Sequence, residues 1–402
     1  MPRSLRLPAM LVAVVVVAEA GVLLLRPRES GPQPKAVLPT AYFSTAEIDR
    51  AEAFRSRQLA LYGLRLAIEV GVLVALVRRP PKRLTGATRR PVVLGAVAGA
   101  GISLALGAAT LPVRVIAREA SKDVGLVTQG WADYAADVVK GELVGAAMAG
   151  VGGALVVVVI RRFGRRWWIA GSAVIVGYGI VLTYLAPIVI EPLFNEFKPL
   201  PRGDLRSDVL SLASRAGVEV GEVYEVDASR RTTASNAYVA GLGQTKRVVL
   251  YDNLLRDFKP AEVRLIVAHE LAHVRYRDVP QGLLYLALVA PMAMFATALA
   301  AERLTPRRAA TPAASLPAIA LSAMVLTVSV GFISNQLSRA VEKRADFYAL
   351  GLVPEPDVMI AMQQRLVRSN VSDPDPPALV RLLLATHPPA IERIGMAEAL
   401  RD

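Results

Sequence analysis

The sequence predicts a mainly α integral membrane protein, in which seven transmembrane helices are joined to a smaller polar part carrying a short antiparallel β-sheet. Three observations predict it. Of 402 residues, 53% are hydrophobic, and mean hydropathy is +0.41, far above what one soluble core of this length requires. The apolar residues gather into seven runs of 18 or more, long enough to cross a bilayer, at about 7–25, 59–77, 91–111, 142–160, 167–190, 281–300 and 313–333. The polar residues gather into two segments, 191–280 and 334–402, and neither is large enough to bury a convincing core alone.

Residues 1–190 are therefore read as a membrane part with five helices. The first run has an alternative as a cleaved signal peptide, because "PRSLR" has the charge of an n-region and "AEA" at 18–20 the small residues of a cleavage site. Its length, and Glu19 inside it, favour a retained helix with one face turned to the protein interior. Arg65 and Glu69, four apart in the second run, are expected to pair on one face away from lipid.

The net charge of +13 does not call for a nucleic-acid partner, since the arginines form short blocks at span ends, "RRPPKRLTGATRR" at 78–90 and "RRFGRR" at 161–166. Such blocks are topology signals. Cysteine is absent, which excludes disulfides, thiolate metal sites and a cysteine nucleophile.

The two polar segments are expected to form one catalytic domain, split by the two-helix membrane insertion 281–333. In the first, "GEVYEVD" at 221–227 and "NAYVAGLGQTKRVVLYD" at 236–252 alternate apolar and polar residues around glycine breaks, the pattern of a small antiparallel hairpin. Pro260 then opens a helix in which apolar residues recur at 263, 266, 267, 271 and 274.

That helix carries "HELAH". His269 and His273, two of only three histidines, lie one turn apart on one face and can aim imidazole nitrogens at one zinc ion. Glu270 falls beside the metal, where a general base would take the proton of a zinc-bound water attacking a peptide carbonyl. At this chain's residue frequencies the chance expectation for H-E-x-x-H is on the order of 0.001 matches, so a structural coincidence is the weaker explanation. A third protein ligand must come from His387 or a carboxylate. Asn335, Arg339, Glu342 and Asp346 form one helical stripe after the seventh run, from which a Glu ligand and an Asp accepting a histidine N–H could both come; a plain solvated face has the same pattern.

"EPLFNEFKPL", "NAYVAG", "HELAH", "SRAVEKRAD" and "THPPAIERI", in this order, together resemble family 48 of the metallopeptidases, the type 1 CaaX prenyl endopeptidases. By motif the resemblance spans about 185–402; by span number it covers the whole chain. It implies seven helices enclosing a chamber and a zincin-like (gluzincin) catalytic domain. One zinc ion would be held by His269, His273 and Glu342, with Glu270 as base and Asp346 supporting the ligands. His387 and Asn236 would contact the substrate near the metal, with His387 placed to stabilise the oxyanion. Arg393 would hold that corner of the site, and Asn335 would stand with the substrate-binding groups. The partners would be a peptide or protein substrate, prenylated if the resemblance extends that far, and the lipid bilayer. A heat-shock membrane protease of the HtpX type, cleaving envelope proteins in quality control, is the alternative enzyme; a membrane scaffold keeping the fold without turnover is the alternative outside enzymes.

Seven spans put the amino terminus, 78–90, 161–166 and 301–312 on one side with 15 Lys plus Arg in short loops, against 10 in 26–58 and 112–141 on the other. The dense basic loops are expected to be cytoplasmic, so the catalytic segments of this multi-pass cell-membrane protein are expected to face outward. Eukaryotic members of the resembled family face the cytosol.

Overall fold

The computed structural model describes residues 3–29, 31–86, 88–241, 246–305 and 311–401. In chain order the helices of the first half are α1 (Arg3–Leu25), α2 (Thr45–Arg78), the single turn α3 (Lys82–Thr85), α4 (Pro91–Asp123), α5 (Trp131–Phe163) and α6 (Trp167–Val189). Then come β1 (Phe197–Pro199), α7 (Asp204–Arg215), β2 (Glu222–Val226), β3 (Ala237–Ala240), β4 (Arg247–Tyr251), α8 (Asp252–Asp257) and α9 (Pro260–Arg275). The chain continues through α10 (Asp278–Leu304) and α11 (Leu316–Leu352) to α12 (Pro356–Asn370), α13 (Ala378–Leu383) and α14 (Ala390–Glu398).

Six helical segments among the described residues are long and apolar enough to cross a membrane, and one of them, Trp131–Leu193, runs for 63 residues. No single crossing needs that length. Gly164, with φ 54, breaks it into α5 and α6 inside the basic "RRFGRR" turn, so each of the seven apolar runs has its own helix.

The helices outreach the runs. α2 has 34 residues, about 51 Å at 1.5 Å per residue against a hydrocarbon core of about 30 Å. Residues 45–58, expected as loop, are its extramembrane end. Ser44 caps it in a capping box with Glu47, Arg368 donates to Glu47 at 2.7 Å, and Arg55 pairs with the buried Asp373. α1 packs on α10 and α11 through Ala18, Val22, Tyr285, Val289 and Leu337, and its Glu19 accepts a hydrogen bond from Gln336 at 3.3 Å. Arg65 and Glu69 pair at 2.8 Å. α4 and α5 touch backbone to backbone: a Cβ on Gly99 would lie 2.1 Å from the Ala149 carbonyl oxygen, and one on Gly153 2.3 Å from that of Gly95. Small residues let membrane helices pack this closely, and Arg114 ties the pair to Glu142 at 2.6 Å.

The sheet corrects an expectation. Its order is β1-β2-β4-β3; β3 and β4 form the expected antiparallel pair, but β2 and β4 are parallel, so the sheet is mixed. The twenty residues between β2 and β4 make the difference, since they include β3 and give the chain length enough for a crossover. The hairpin turn at 242–245 and part of the basic loop, 306–310, lie outside the described residues.

One buried cluster draws Val223, Leu250, Leu265 and Leu271 together with Ala349, Met359, Met362 and Ile394, so it joins both polar segments. It also takes Phe43, ahead of α2. The expected limits at 280 and 333 fall inside α10 and α11, which run without interruption from the apolar runs into the polar layer.

Candidate metal centre

α9 begins at Pro260, where the missing N–H is no loss, and the Lys259 N–H donates to Glu262 at 2.8 Å. Val263, Val267 and Leu271, four apart on one face of the helix, are buried, and His269 and His273, four apart on another, are turned toward α11. α11 brings Glu342 opposite them. His269 Nε2 lies 3.2 Å from His273 Nε2 and 3.2 Å from Glu342 Oε2, and His273 Nε2 lies 3.7 Å from Glu342 Oε1.

These atoms fit a metal ion. Tetrahedral zinc with ligands at 2.0–2.1 Å holds neighbouring donor atoms about 3.3 Å apart. The other ring nitrogens are committed: His269 Nδ1 meets Asp346 Oδ1 and His273 Nδ1 meets Asp278 Oδ2, both at 2.9 Å. With Nδ1–H donated to carboxylates, each Nε2 presents a lone pair to the other and to Glu342. Glu342 Oε2 is buried without a hydrogen-bond partner. Three potential electron-pair donors converging on one point make a site that a cation would fit. His269, His273 and Glu342 are the group among the described residues whose ligand atoms lie within 4.8 Å of one another.

Each histidine is backed by a carboxylate and an arginine. Asp346, fully buried, takes two hydrogen bonds from Arg393, one of them from Nε at 2.8 Å. Asp278 pairs with Arg344, whose guanidinium stacks 4.1 Å over the Tyr276 ring. The Asp278–Arg344 pair was not foreseen from the sequence. In a continuous helix a residue five places beyond His273 would point about 140° away; Arg277 adopts the left-handed region, φ 57, and folds Asp278 back. The one signal was an acid close behind H-E-x-x-H. Asp278→Asn is expected to weaken zinc binding by about 10- to 100-fold, measured by competition with a chromogenic chelator; unchanged affinity would remove Asp278 from this role.

Glu270 contributes none of the converging atoms. It is half-buried, and it lines two cavities at once. Burial pushes its carboxyl up from the ordinary range. The first cavity, about 650 Å³, is lined by Asn236, His269, His387 and Arg393. The second, about 820 Å³, lies toward the membrane helices and is lined by Tyr184, Tyr238, His273, Val341 and Glu342.

His387 is exposed at the site's edge, and its Nε2 stands 3.3 Å from Glu342 Oε2. Asn236 opens the edge strand β3 at the mouth of the first cavity. Arg393 reaches that cavity too, but its hydrogen bonds go to Asp346, so it braces the corner. Asn335 is not brought to the centre: its amide donates to the Leu383 carbonyl at 2.7 Å and ties α13 to α11. "EPLFNEFKPL" and "NAYVAG" meet through Tyr238, which donates to Glu191 at 2.7 Å.

Known proteins resemble this arrangement. The model of peptidase family M48 matches residues 199–401, and that of the CAAX prenyl protease N-terminal region, with five membrane helices, matches 120–196. A metalloprotease of Bacillus subtilis, YhfN, is 31% identical over 304 residues, 74% of this chain and 71% of its own. A CAAX prenyl protease 1 homolog of Arabidopsis thaliana is 28% identical over 264 residues, 64% of this chain and 62% of its own. The crystal structure of S. mikatae Ste24p superposes with a TM-score of 0.73 over 99% of both chains at 18% identity, which shows a shared fold. With half of its length matched by the family model and a relative above 30% identity covered over most of its length, the chain belongs to peptidase family M48, as a membrane-embedded metalloprotease.

Proposed function

We propose that the chain is a zinc endopeptidase of the CaaX prenyl protease type, with residues 191–280 and 334–402 acting as one catalytic unit beside a helix-lined chamber. One zinc ion is held by His269, His273 and Glu342. The observation that carries this is the convergence of their three donor atoms next to Glu270, at the junction of two cavities. The metal, when bound, supplies Lewis acidity toward water and the substrate carbonyl. Glu270 takes the proton of the attacking water and delivers it to the leaving amine as the C–N bond breaks. His387 donates an N–H to the developing oxyanion, and Asn236 with the free edge of β3 aligns the peptide backbone.

The basic loops favour an outward-facing centre. Because native cysteine is absent, single cysteines at the exposed positions Arg256 and Arg89 report the side directly. Labelling of Arg256→Cys, and not Arg89→Cys, by an impermeant maleimide on intact cells is the expected result; the reverse would place the centre in the cytosol. Substrate class is tested on purified protein with one peptide, prenylated or not, ending in a CaaX sequence. Cleavage before the last three residues, faster with the prenyl group, is expected. Equal cleavage of the unmodified peptide at internal bonds would favour envelope-protein turnover.

A further inference from the structure

Among the described residues β3 pairs only with β4, and no strand covers its other edge. A peptide adding antiparallel to that edge runs its carboxyl-terminal half past Asn236 and its amino-terminal half past Val239 and Ala240. Asn236 lines the first cavity, Val239 and Ala240 the second. The second cavity therefore receives the residues that precede the scissile bond.

The acids of this second cavity are all engaged. Glu270 and Glu342 belong to the metal centre, and Asp278 is held between His273 and Arg344. Two cations line the same space, Lys246 and Arg277, and among the described residues no ion pair or side-chain hydrogen bond reaches either of them. Among the described residues Arg277 is also one of two non-glycine residues with positive φ, the other being Val371. The neighbouring wall is apolar and aromatic, from Tyr184, Val274 and Val341, so an anion entering meets these two charges against little competing polarity.

We propose that Lys246 and Arg277 form a specificity subsite for an acidic side chain on the amino-terminal side of the scissile bond. The proposal rests on the proteolytic reading of the centre, and its test separates the two. Binding of two labelled peptides, identical except for Glu or Lys at the second to fourth positions before the scissile bond, is measured by anisotropy. The protein is zinc-loaded, full-length and in neutral detergent, in the Glu270→Gln background, where binding is read without turnover. The Glu peptide is expected to bind about tenfold more tightly. Lys246→Glu with Arg277→Glu is expected to reverse that ratio, and Lys246→Arg with Arg277→Lys to keep it. The ratio within one variant is insensitive to loss of folded protein, which scales both peptides alike. Equal affinity for both peptides overturns the subsite. So does a charge-reversal effect seen only in anionic vesicles, which would assign the two cations to lipid phosphates. A binding preference with no hydrolysis by the native chain would instead sink the proteolytic reading and leave the subsite standing.

Discussion

Glu270→Gln is expected to lower kcat/KM for peptide hydrolysis by about a thousandfold, within the range general-base loss produces, while one zinc ion per chain is retained. Glutamine keeps the size and hydrogen-bonding reach of the side chain and removes only its capacity to take a proton. The centre should stay intact because Glu270 is not among the converging donors. Hydrolysis and metal content are measured on the same preparation. Undiminished turnover would remove Glu270 as the base, and loss of metal together with activity would show it to be a ligand. Burial raises the Glu270 carboxyl, and the base works only when ionised. Activity in the native protein should therefore fall at acid pH as Glu270 is protonated, with burial pushing that limb up and a neighbouring metal ion pushing it down.

Glu342→Ala should cost the protein its metal. Losing one of three protein ligands is expected to weaken zinc binding by more than about a hundredfold, beyond the effect of removing a supporting carboxylate. A competing chelator gives the affinity, and thermal melting gives an independent readout. A zinc ion held by these residues would join α9 to α11, elements with the membrane helix α10 between them in sequence, and a metal bound only by the folded state raises Tm. Added zinc is expected to raise the Tm of the native chain and leave that of Glu342→Ala unchanged. A full zinc equivalent in the variant would exclude Glu342 and turn attention to His387, whose Nε2 lies 3.3 Å from the same carboxylate.

The membrane helices were legible in the sequence because spans are read from continuous hydropathy, which survives ignorance of packing. The converging trio was legible for a different reason. His269 and His273 obey helical spacing, and Glu342 and Asp346 lie on one stripe of a helix that does not break. What stayed hidden depends on where chains turn. The projection of α2 beyond its apolar run has no hydropathy signal, because its amphipathic end packs on protein. The parallel pairing of β2 with β4 depends on a crossover that alternation of residues does not encode. Asp278 reaches His273 only through the left-handed turn at Arg277, a conformation for which arginine gives no warning. Asn335 shares the stripe of Glu342 and Asp346, yet α13 crosses α11 at that level and takes its amide; a stripe identifies a face, and only the neighbour decides what the face touches.

α11 is one helix from its apolar run to Glu342, and α10 begins at Asp278, which meets His273 Nδ1. Both sides of the centre are thus the ends of stiff rods standing in lipid. From residue 333 to Glu342 the rod is about 14 Å long, so a tilt imposed by a thinner or thicker bilayer is carried as a sideways displacement of the carboxylate relative to the histidines. The geometry of a metal site built this way is expected to respond to bilayer thickness, as a mechanical input with no ligand of its own.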